Sequence, residues 1–244
     1  MGSMPTLVNK LKEINSNNLV DVFVPSLNKK VKFTPLSVKQ QKDIIKTGLE
    51  GTTAVIMLNN IFNDIMVKNS TEKKTLNIID RSAVILALRV DAFGSKYTSD
   101  GNTYDLGKIL KKQLEIPAET KIKYTYKDII NITLDIPTID QDTSINTYLL
   151  DMFKKNEDTP ISDAIGSIYI YEILKYFSEI TVDDTEINFS TLNSISTKIS
   201  VLENLPAGIL TDLIKFVQSY RDIETNYLTL DEFTLPLDAR IFTQ

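Results

Sequence analysis

The chain has 244 residues, 42% hydrophobic and 24% charged, which is the composition of an ordinary folded protein with a buried core. It contains no Cys, no His and no Trp. These absences exclude disulfides, thiolate nucleophiles and every catalytic or zinc site that needs imidazole. The formal net charge of −5 argues against non-specific binding to nucleic acid. We expect neither a secretion signal nor a membrane segment, since no apolar run reaches the ~18–20 residues that span a bilayer.

Charge is distributed unevenly along the chain. Residues 1–127 contain 20 Lys+Arg and 12 Asp+Glu, a net charge of +8, whereas residues 128–244 contain 7 and 20, a net charge of −13. The simpler interpretation is that the two halves carry different solvated faces. The alternative is an electrostatic polarity that orients docking, either between the halves or onto neighbours in an assembly.

The first predicted elements are an arm and a hairpin. We interpret residues 1–3 as the remnant of a purification tag, and expect residues 1–18 to form a flexible arm or a short helix. Residues 20–24 and 31–34 alternate in polarity around a turn-prone segment, which predicts a β-hairpin.

Three helices should follow this hairpin. Ser37 and Gln40 form an S-x-x-Q capping box that opens a helix ending near residue 47. Helical spacing of apolar residues predicts further helices over 52–67 and 78–92. The last is apolar nearly all round, so it should be the most buried, and Gly94 suits the position after its end.

The middle of the chain favours strands. Asp100-Gly101 lies between residues 96–98 and 103–104 and predicts a second hairpin. Residues 121–126 and 130–134 alternate strictly in polarity, which predicts strands with one solvated face.

The remainder should be largely helical. Helices are predicted over 144–154, 161–177, 188–202 and 207–222, and the tail from 228 to 244 should add a strand or a hairpin. The expected fold class is α+β and mostly helical: an N-terminal β-hairpin plus helices, a small central antiparallel β section, then a C-terminal helical bundle. The corresponding regions are the arm 1–18, the hairpin with three helices 19–94, the β section 95–140, and the helical region with its tail 141–244.

No motif in the chain indicates catalysis or a bound cofactor. Glycine-rich nucleotide loops and the G-x-S-x-G elbow are missing. Three acidic pairs could bind Ca²⁺ or Mg²⁺, but turns, helix caps and solvated surface explain them better; they are Asp140/Asp142, Asp183/Asp184 and Asp231/Glu232. We therefore predict no cofactor, no metal and no enzymatic activity.

Six lysines near the N-terminus form the candidate docking surface, namely Lys29, Lys30, Lys32, Lys39, Lys42 and Lys46. Interleaved arginines and aromatic residues, which nucleic-acid surfaces use, are not found among them. The alternatives are an ordinary solvated face and docking onto an acidic protein partner.

Two charged residues are predicted to be buried for structural reasons. Arg89 lies in the most apolar helix, and Asp80 lies at the start of the same helix. An unpaired buried charge is costly, so we expect Arg89 to bridge helix and sheet through a carboxylate, with a partner contact as the alternative.

Three segments resemble the baseplate hub family of T4-type contractile-tailed bacteriophages. Residues 31–42 are similar to that family's basic strand, proline and "V-K-E-x-K" helix start. Residues 79–94 resemble its "D-x-x-x-L-x-L-R-x-x-S-x-G" segment, with Asp80, Leu88, Arg89 and Gly94 at matching positions. Residues 168–223 follow the family order of an "I-x-x-I" helix, an acidic turn and a helix pair.

The resemblance covers nearly the whole chain, with one departure. It implies small cysteine knuckles after the glycine and near the C-terminus, where this chain has residues 97–104 and 227–236 without cysteine. Hairpin turns such as Asp100-Gly101 would have to replace them.

The function that the resemblance implies is a hub component, or a hub assembly factor, that acts through contacts with other hub or tail assembly proteins. Such a protein would be found in the host cytoplasm during assembly, or in the baseplate of the virion. Both a monomer and a homo-oligomer are compatible with this role. The alternatives are a tail chaperone or adaptor with a different client and, less favoured, a carboxylate-dependent enzyme. Neither nucleic acid nor a membrane is expected as a partner.

Overall fold

The computed structural model describes residues 4–48, 53–72, 74–112, 114, 120–155, 161–183, 185–189, 191–192 and 194–243. The chain divides into two compact units. The first unit comprises Met1–Leu114 and Thr225–Gln244, and the second unit comprises Glu115–Glu224. The first unit contains 18 Lys+Arg and 13 Asp+Glu, a net charge of +5, and the second contains 9 and 19, a net charge of −10.

The described helices follow one another through both units. In chain order they are α1 (Met4–Asn17), α2 (Val38–Thr47), α3 (Ala54–Asn69), α4 (Arg81–Phe93), α5 (Leu106–Leu110), α6 (Ile139–Lys155), α7 (Ile161–Tyr176), α8 (Ile195–Glu203) and α9 (Ala207–Leu228). Within the described residues, no helix is long and apolar enough to span a membrane.

All strand pairs in the described chain are antiparallel. The strands are β1 (Val20–Val24), β2 (Lys29–Phe33), β3 (Lys96–Ser99), β4 (Asn102–Asp105), β5 (Ile122–Tyr126), β6 (Ile130–Leu134), β7 (Phe177–Val182), β8 (Thr185–Asn188), β9 (Thr229–Leu230) and β10 (Phe233–Thr234). The expected α+β, mostly helical fold class is confirmed.

The N-terminal hairpin is confirmed and has one buried face. Val22 pairs with Val31, and their side chains are buried together with those of Val24 and Phe33. This face packs against α4. The turn is a short 3-10 helix that ends at Asn28. The φ of Asn28 is 46°, in the left-handed region that asparagine adopts more readily than most other residues.

The capping box at the start of α2 is also confirmed. The Gln40 backbone N–H donates to Ser37 Oγ at 3.2 Å, and the Ser37 N–H donates to Gln40 Oε1 at 2.9 Å. These two bonds satisfy amides that a helix start otherwise leaves without partners.

α4 is the most buried helix, as its apolar sequence predicted. Every residue from Arg81 to Arg89 is buried. The helix ends at Gly94, whose φ of 80° is accessible to glycine at little cost. The following hairpin turns at Asp100 and Gly101, both with positive φ, in agreement with the predicted Asp-Gly turn.

In the second unit two strands interrupt the region predicted to be helical. The four-stranded sheet has the order β5-β6-β7-β8, so two of its strands lie in the region predicted to be helical. β7 follows α7 without a glycine or proline between them, and its pairing with β6 overrides any local signal at that point. The helix predicted over 188–202 begins only at Ile195, capped by the Ser194 hydroxyl.

Two other helices are longer than predicted. α6 begins at Ile139 because Thr138 and Gln141 form a second reciprocal cap: Gln141 N–H donates to Thr138 Oγ1, and Thr138 N–H donates to Gln141 Oε1. α9 continues to Leu228. The tail forms the predicted hairpin, with β9 paired to β10.

Candidate docking surfaces

The outer face of the β1–β2 hairpin carries exposed charge around an aromatic ring. Asp21 is paired with Lys32 and Phe23 with Lys30 across the two strands, on the face opposite the buried valines. All four side chains are exposed, and the Phe23 ring is 38% accessible. Lys29, at the turn end, forms an ion pair with Glu72 at 2.5 Å. Aromatic side chains are enriched in protein interfaces, where charges around them contribute orientation and rate of encounter.

The other three predicted lysines lie on α2. Lys39, Lys42 and Lys46 are exposed, and Val38 beside them is 82% accessible. α2 packs against α3 and against the C-terminal 3-10 helix Ala239–Phe242, whereas the hairpin packs against α4. The six lysines therefore form two sets, which we name the hairpin set (Lys29, Lys30, Lys32) and the helix set (Lys39, Lys42, Lys46).

A cavity of about 220 Å³ lies beside the hairpin. β1 lines it through Asp21, Val22 and Phe23. The rest of its lining is Pro25, Lys30, Ala83, Ala87, Leu110, Lys112, Leu114 and Tyr227. Sequence reasoning did not find this cavity. The available signal was the pair of small residues Ala83 and Ala87, one helical turn apart in a helix whose other buried residues are mostly large.

Arg89 is completely buried, as predicted, but its hydrogen bonds differ from the prediction. Within the described residues it donates to three backbone carbonyls and not to a carboxylate: Nε to Ile241 O at 3.0 Å, one terminal nitrogen to Gly94 O and the other to Lys96 O at 3.1 Å. Its guanidinium also lies 5.9 Å from the ring centroids of Phe93 and Tyr97. Burial lowers the pKa of Arg89 from its ordinary value. Carbonyl dipoles and two aromatic faces therefore replace the expected counter-ion.

Asp80 is buried and connects the hairpin turn to the start of α4. Its carboxylate accepts hydrogen bonds from the Ser26 N–H at 2.8 Å, the Ser26 hydroxyl at 2.6 Å and the Asn77 N–H at 2.9 Å. Burial raises the pKa of Asp80 above its ordinary value, although these hydrogen bonds act to lower it. Both buried charges thus have a structural explanation within the first unit.

The two segments without cysteine form hairpins that pack together. The Tyr104 and Phe233 rings are stacked with centroids 3.8 Å apart and planes 13° apart, and Tyr97 lies 6.2 Å from Phe233. Lys112 stabilises the same region, because its Nζ donates to the carbonyls of Asn226, Tyr227 and Thr229 at 2.7, 3.1 and 2.7 Å. These contacts give the end of α9 a positive charge where the helix dipole favours one.

In the second unit, one predicted surface carboxylate is buried. Asp142 pairs with buried Lys175 at 2.8 Å and accepts a hydrogen bond from Asn146 at 3.1 Å. Lys175 also pairs with Glu172 at 2.5 Å, which in turn pairs with Arg221 at 3.1 Å. Charges that alternate in sign along this network explain why the fold can bury them.

The other acidic candidates do not join this network. Asp140 and Asp183 are exposed, and Asp184 lies outside the described residues. No group of three or more acidic residues arranged for a metal ion occurs in the described part of the chain.

Comparison with known protein families matches residues 17–228 to the T4 bacteriophage base plate protein family. The chain belongs to this family. No curated protein and no solved structure matches it. Membership makes it a baseplate-associated protein of a bacteriophage tail, with other tail proteins as its partners. The matched segment begins where α1 ends, and it includes residues of both compact units.

Proposed function

We propose that this chain is a component of the baseplate hub, or a factor that assembles the hub, and that it acts through protein–protein contacts without catalysis. The observation that carries this proposal is the family match over residues 17–228, together with the resemblance of residues 31–42, 79–94 and 168–223 to hub proteins. The opposite net charges of the two units, +5 and −10, support a role in oriented assembly.

The basic surface of the first unit is the proposed docking site for an acidic partner. The hairpin set is favoured over the helix set, because Lys30 and Lys32 share the face of the exposed Phe23 ring and Lys30 lines the cavity beside β1. An aromatic anchor supplies affinity, while the lysines supply orientation and rate of encounter. The partner is another hub or tail assembly protein, and a second copy of this chain is the alternative.

Pairwise binding of the purified full-length protein to each tail protein of its phage tests this proposal. We expect binding to at least one hub protein. The triple variant Lys29→Glu/Lys30→Glu/Lys32→Glu should weaken that binding about tenfold or more. The triple variant Lys39→Glu/Lys42→Glu/Lys46→Glu changes the net charge equally and is the matched control, and it should have a smaller effect.

The outcomes separate the candidate functions. If no hub protein binds, the hub proposal is wrong. If the protein binds a client that is not a hub protein, it is a tail chaperone or adaptor. Mass spectrometry of purified virions, compared with lysate of infected cells, distinguishes a permanent subunit from a factor that acts in the host cytoplasm and leaves.

A further inference from the structure

Among the residues that the structure describes, the β1–β2 hairpin has one covered edge and one open edge. On the β2 side, Thr71 N–H donates to Lys32 O at 2.9 Å and Thr34 N–H donates to Asn69 O at 2.8 Å, so the segment after α3 covers this edge. On the other side, β1 has no strand partner among the described residues apart from β2. An open strand edge presents unpaired backbone donors and acceptors.

The register shows which backbone groups face this open edge. Lys32 O points away from β1, because it accepts from Thr71. In an antiparallel pair, the residue opposite such a position also directs its N–H and C=O outward, and the orientation alternates along the strand. Asp21 is opposite Lys32 and Phe23 is opposite Lys30. The outward backbone groups of β1 are therefore those of Asp21 and Phe23.

The cavity of about 220 Å³ lies along the same edge. α4 contributes Ala83 and Ala87 to its lining, and their short side chains leave space beside the strand. Leu110, Leu114 and Tyr227 supply further apolar lining, whereas Lys30 adds a positive charge. Unpaired backbone groups next to an apolar recess are the two features that strand addition requires.

We propose that the open edge of β1 receives an extended segment of another baseplate protein, which joins the hairpin as a third strand. This inference rests on the proposed function and specifies how the partner binds. Hydrogen bonds to the backbone of Asp21 and Phe23 hold the segment, and its apolar side chains enter the recess beside Ala83 and Ala87.

The charge around the edge determines the chemistry of this segment. The exposed face of the hairpin carries two positive charges, on Lys30 and Lys32, and one negative charge, on Asp21. The whole first unit has a net charge of +5. The complementary partner is a strand that alternates apolar residues with polar ones and carries Asp or Glu among the polar positions.

Two variants block strand addition in different ways. Asp21→Pro removes an outward N–H that takes no part in the pairing with β2, so the hairpin should persist. Ala87→Leu fills the recess and leaves the backbone unchanged.

Glu186→Pro is the matched control. Phe189 N–H donates to Ser178 O at 2.9 Å, so Phe189 faces β7 and the alternation directs the N–H of Glu186 outward from the edge strand β8. The control therefore makes the same substitution at an outward position of another edge, in the second unit.

The test uses overlapping synthetic peptides that cover the tail proteins of the same phage, with labelled full-length protein as the probe. We expect binding to peptides with alternating apolar residues and carboxylates. Asp21→Pro and Ala87→Leu should weaken binding about tenfold or more, and Glu186→Pro by less than about twofold. In the unaltered protein, the bound peptide should slow hydrogen exchange of the Asp21 and Phe23 amides, a readout that does not depend on the variants folding.

Three results would overturn the inference: no peptide binds, both amides exchange as fast with the peptide as without it, or a second copy of this chain protects them instead. If whole hub proteins bind the unaltered protein and Asp21→Pro equally, the proposed function stands and strand addition fails. If no hub protein binds at all, the proposed function itself is wrong.

Discussion

Arg89 shows how one side chain can connect distant parts of the sequence. It joins α4 to Gly94 after the helix end, to the first residue of β3 and to the C-terminal 3-10 helix through three carbonyls. Only a guanidinium presents several N–H donors in a fixed plane, which explains an arginine here in place of a lysine.

Replacing Arg89 with Met should lower the free energy of unfolding by about 3 kcal/mol, since it removes the donor to the buried Ile241 carbonyl and to the part-buried Gly94 and Lys96 carbonyls, although it also removes a desolvated charge. Arg89→Lys should cost less, because an ammonium can still reach one or two of these acceptors. Urea denaturation measures both effects. The control is Arg240→Lys at an exposed site, expected to change stability by less than about 0.5 kcal/mol. Equal stability of Arg89→Met and the unaltered protein would contradict this account.

Tyr227 should make stability depend on alkaline pH. Burial raises the pKa of its phenol to about 12, from an ordinary value of 10.0. The folded protein therefore holds this proton more tightly than the unfolded chain does. The contribution of Tyr227 to the free energy of unfolding is fully present below pH 10 and is lost as pH rises from 10 towards 12.

Tyr227→Phe should flatten the decline of unfolding free energy over this range. At pH 7 the variant should differ from the unaltered protein by less than about 0.5 kcal/mol, which makes neutral pH an internal control. Urea midpoints measured at intervals of pH test both statements. An identical alkaline decline in the two proteins would show that Tyr227 is not responsible.

Elements with strong local signals were predicted well from the sequence. The Ser37–Gln40 capping box, the Asp100-Gly101 turn and the apolar run of α4 each specify a structure through neighbouring residues alone. β7 was missed because its stability comes from pairing with β6, which is distant in the sequence, and β8 pairs in turn with β7. The cavity beside β1 was missed for the same reason, because its lining residues come from segments that are distant in the sequence. Arg89 could be predicted as buried, whereas its carbonyl partners depend on a tail about 150 residues away.

The stacked rings of Tyr104 and Phe233 should couple the two small hairpins of the first unit. Single substitutions to Ala remove one ring each, and the double variant removes both. The difference between the summed single effects and the double effect should be about 1 kcal/mol, as for other close aromatic pairs. Urea denaturation of the four proteins gives this coupling energy. Additive effects would mean that the two hairpins are held together by other contacts.

At the scale of the whole molecule, the division of charge follows the compact units. The last 20 residues return to the first unit and bring one Arg with three acidic residues, yet that unit keeps a net charge of +5. The second unit, at −10, has its buried charges compensated in the Asp142–Lys175 network, so its excess of acid lies mostly elsewhere on the unit. A molecule of this kind can be oriented by the field of a charged neighbour before contact is made.

Local charge at the hairpin, and not the total charge of the chain, should therefore control association with an acidic partner. Lys30→Glu/Lys32→Glu and Lys154→Glu/Lys155→Glu each change the net charge by the same amount, and all four lysines are exposed. At low ionic strength, the hairpin variant should associate about tenfold more slowly with the hub protein that the unaltered protein binds, and its association rate should depend less on salt. The second variant should associate less than about twofold more slowly. Stopped-flow measurement of the association rate over a range of salt concentrations separates the two. Equal slowing by both variants would mean that total charge steers the encounter and that the hairpin has no special part in it.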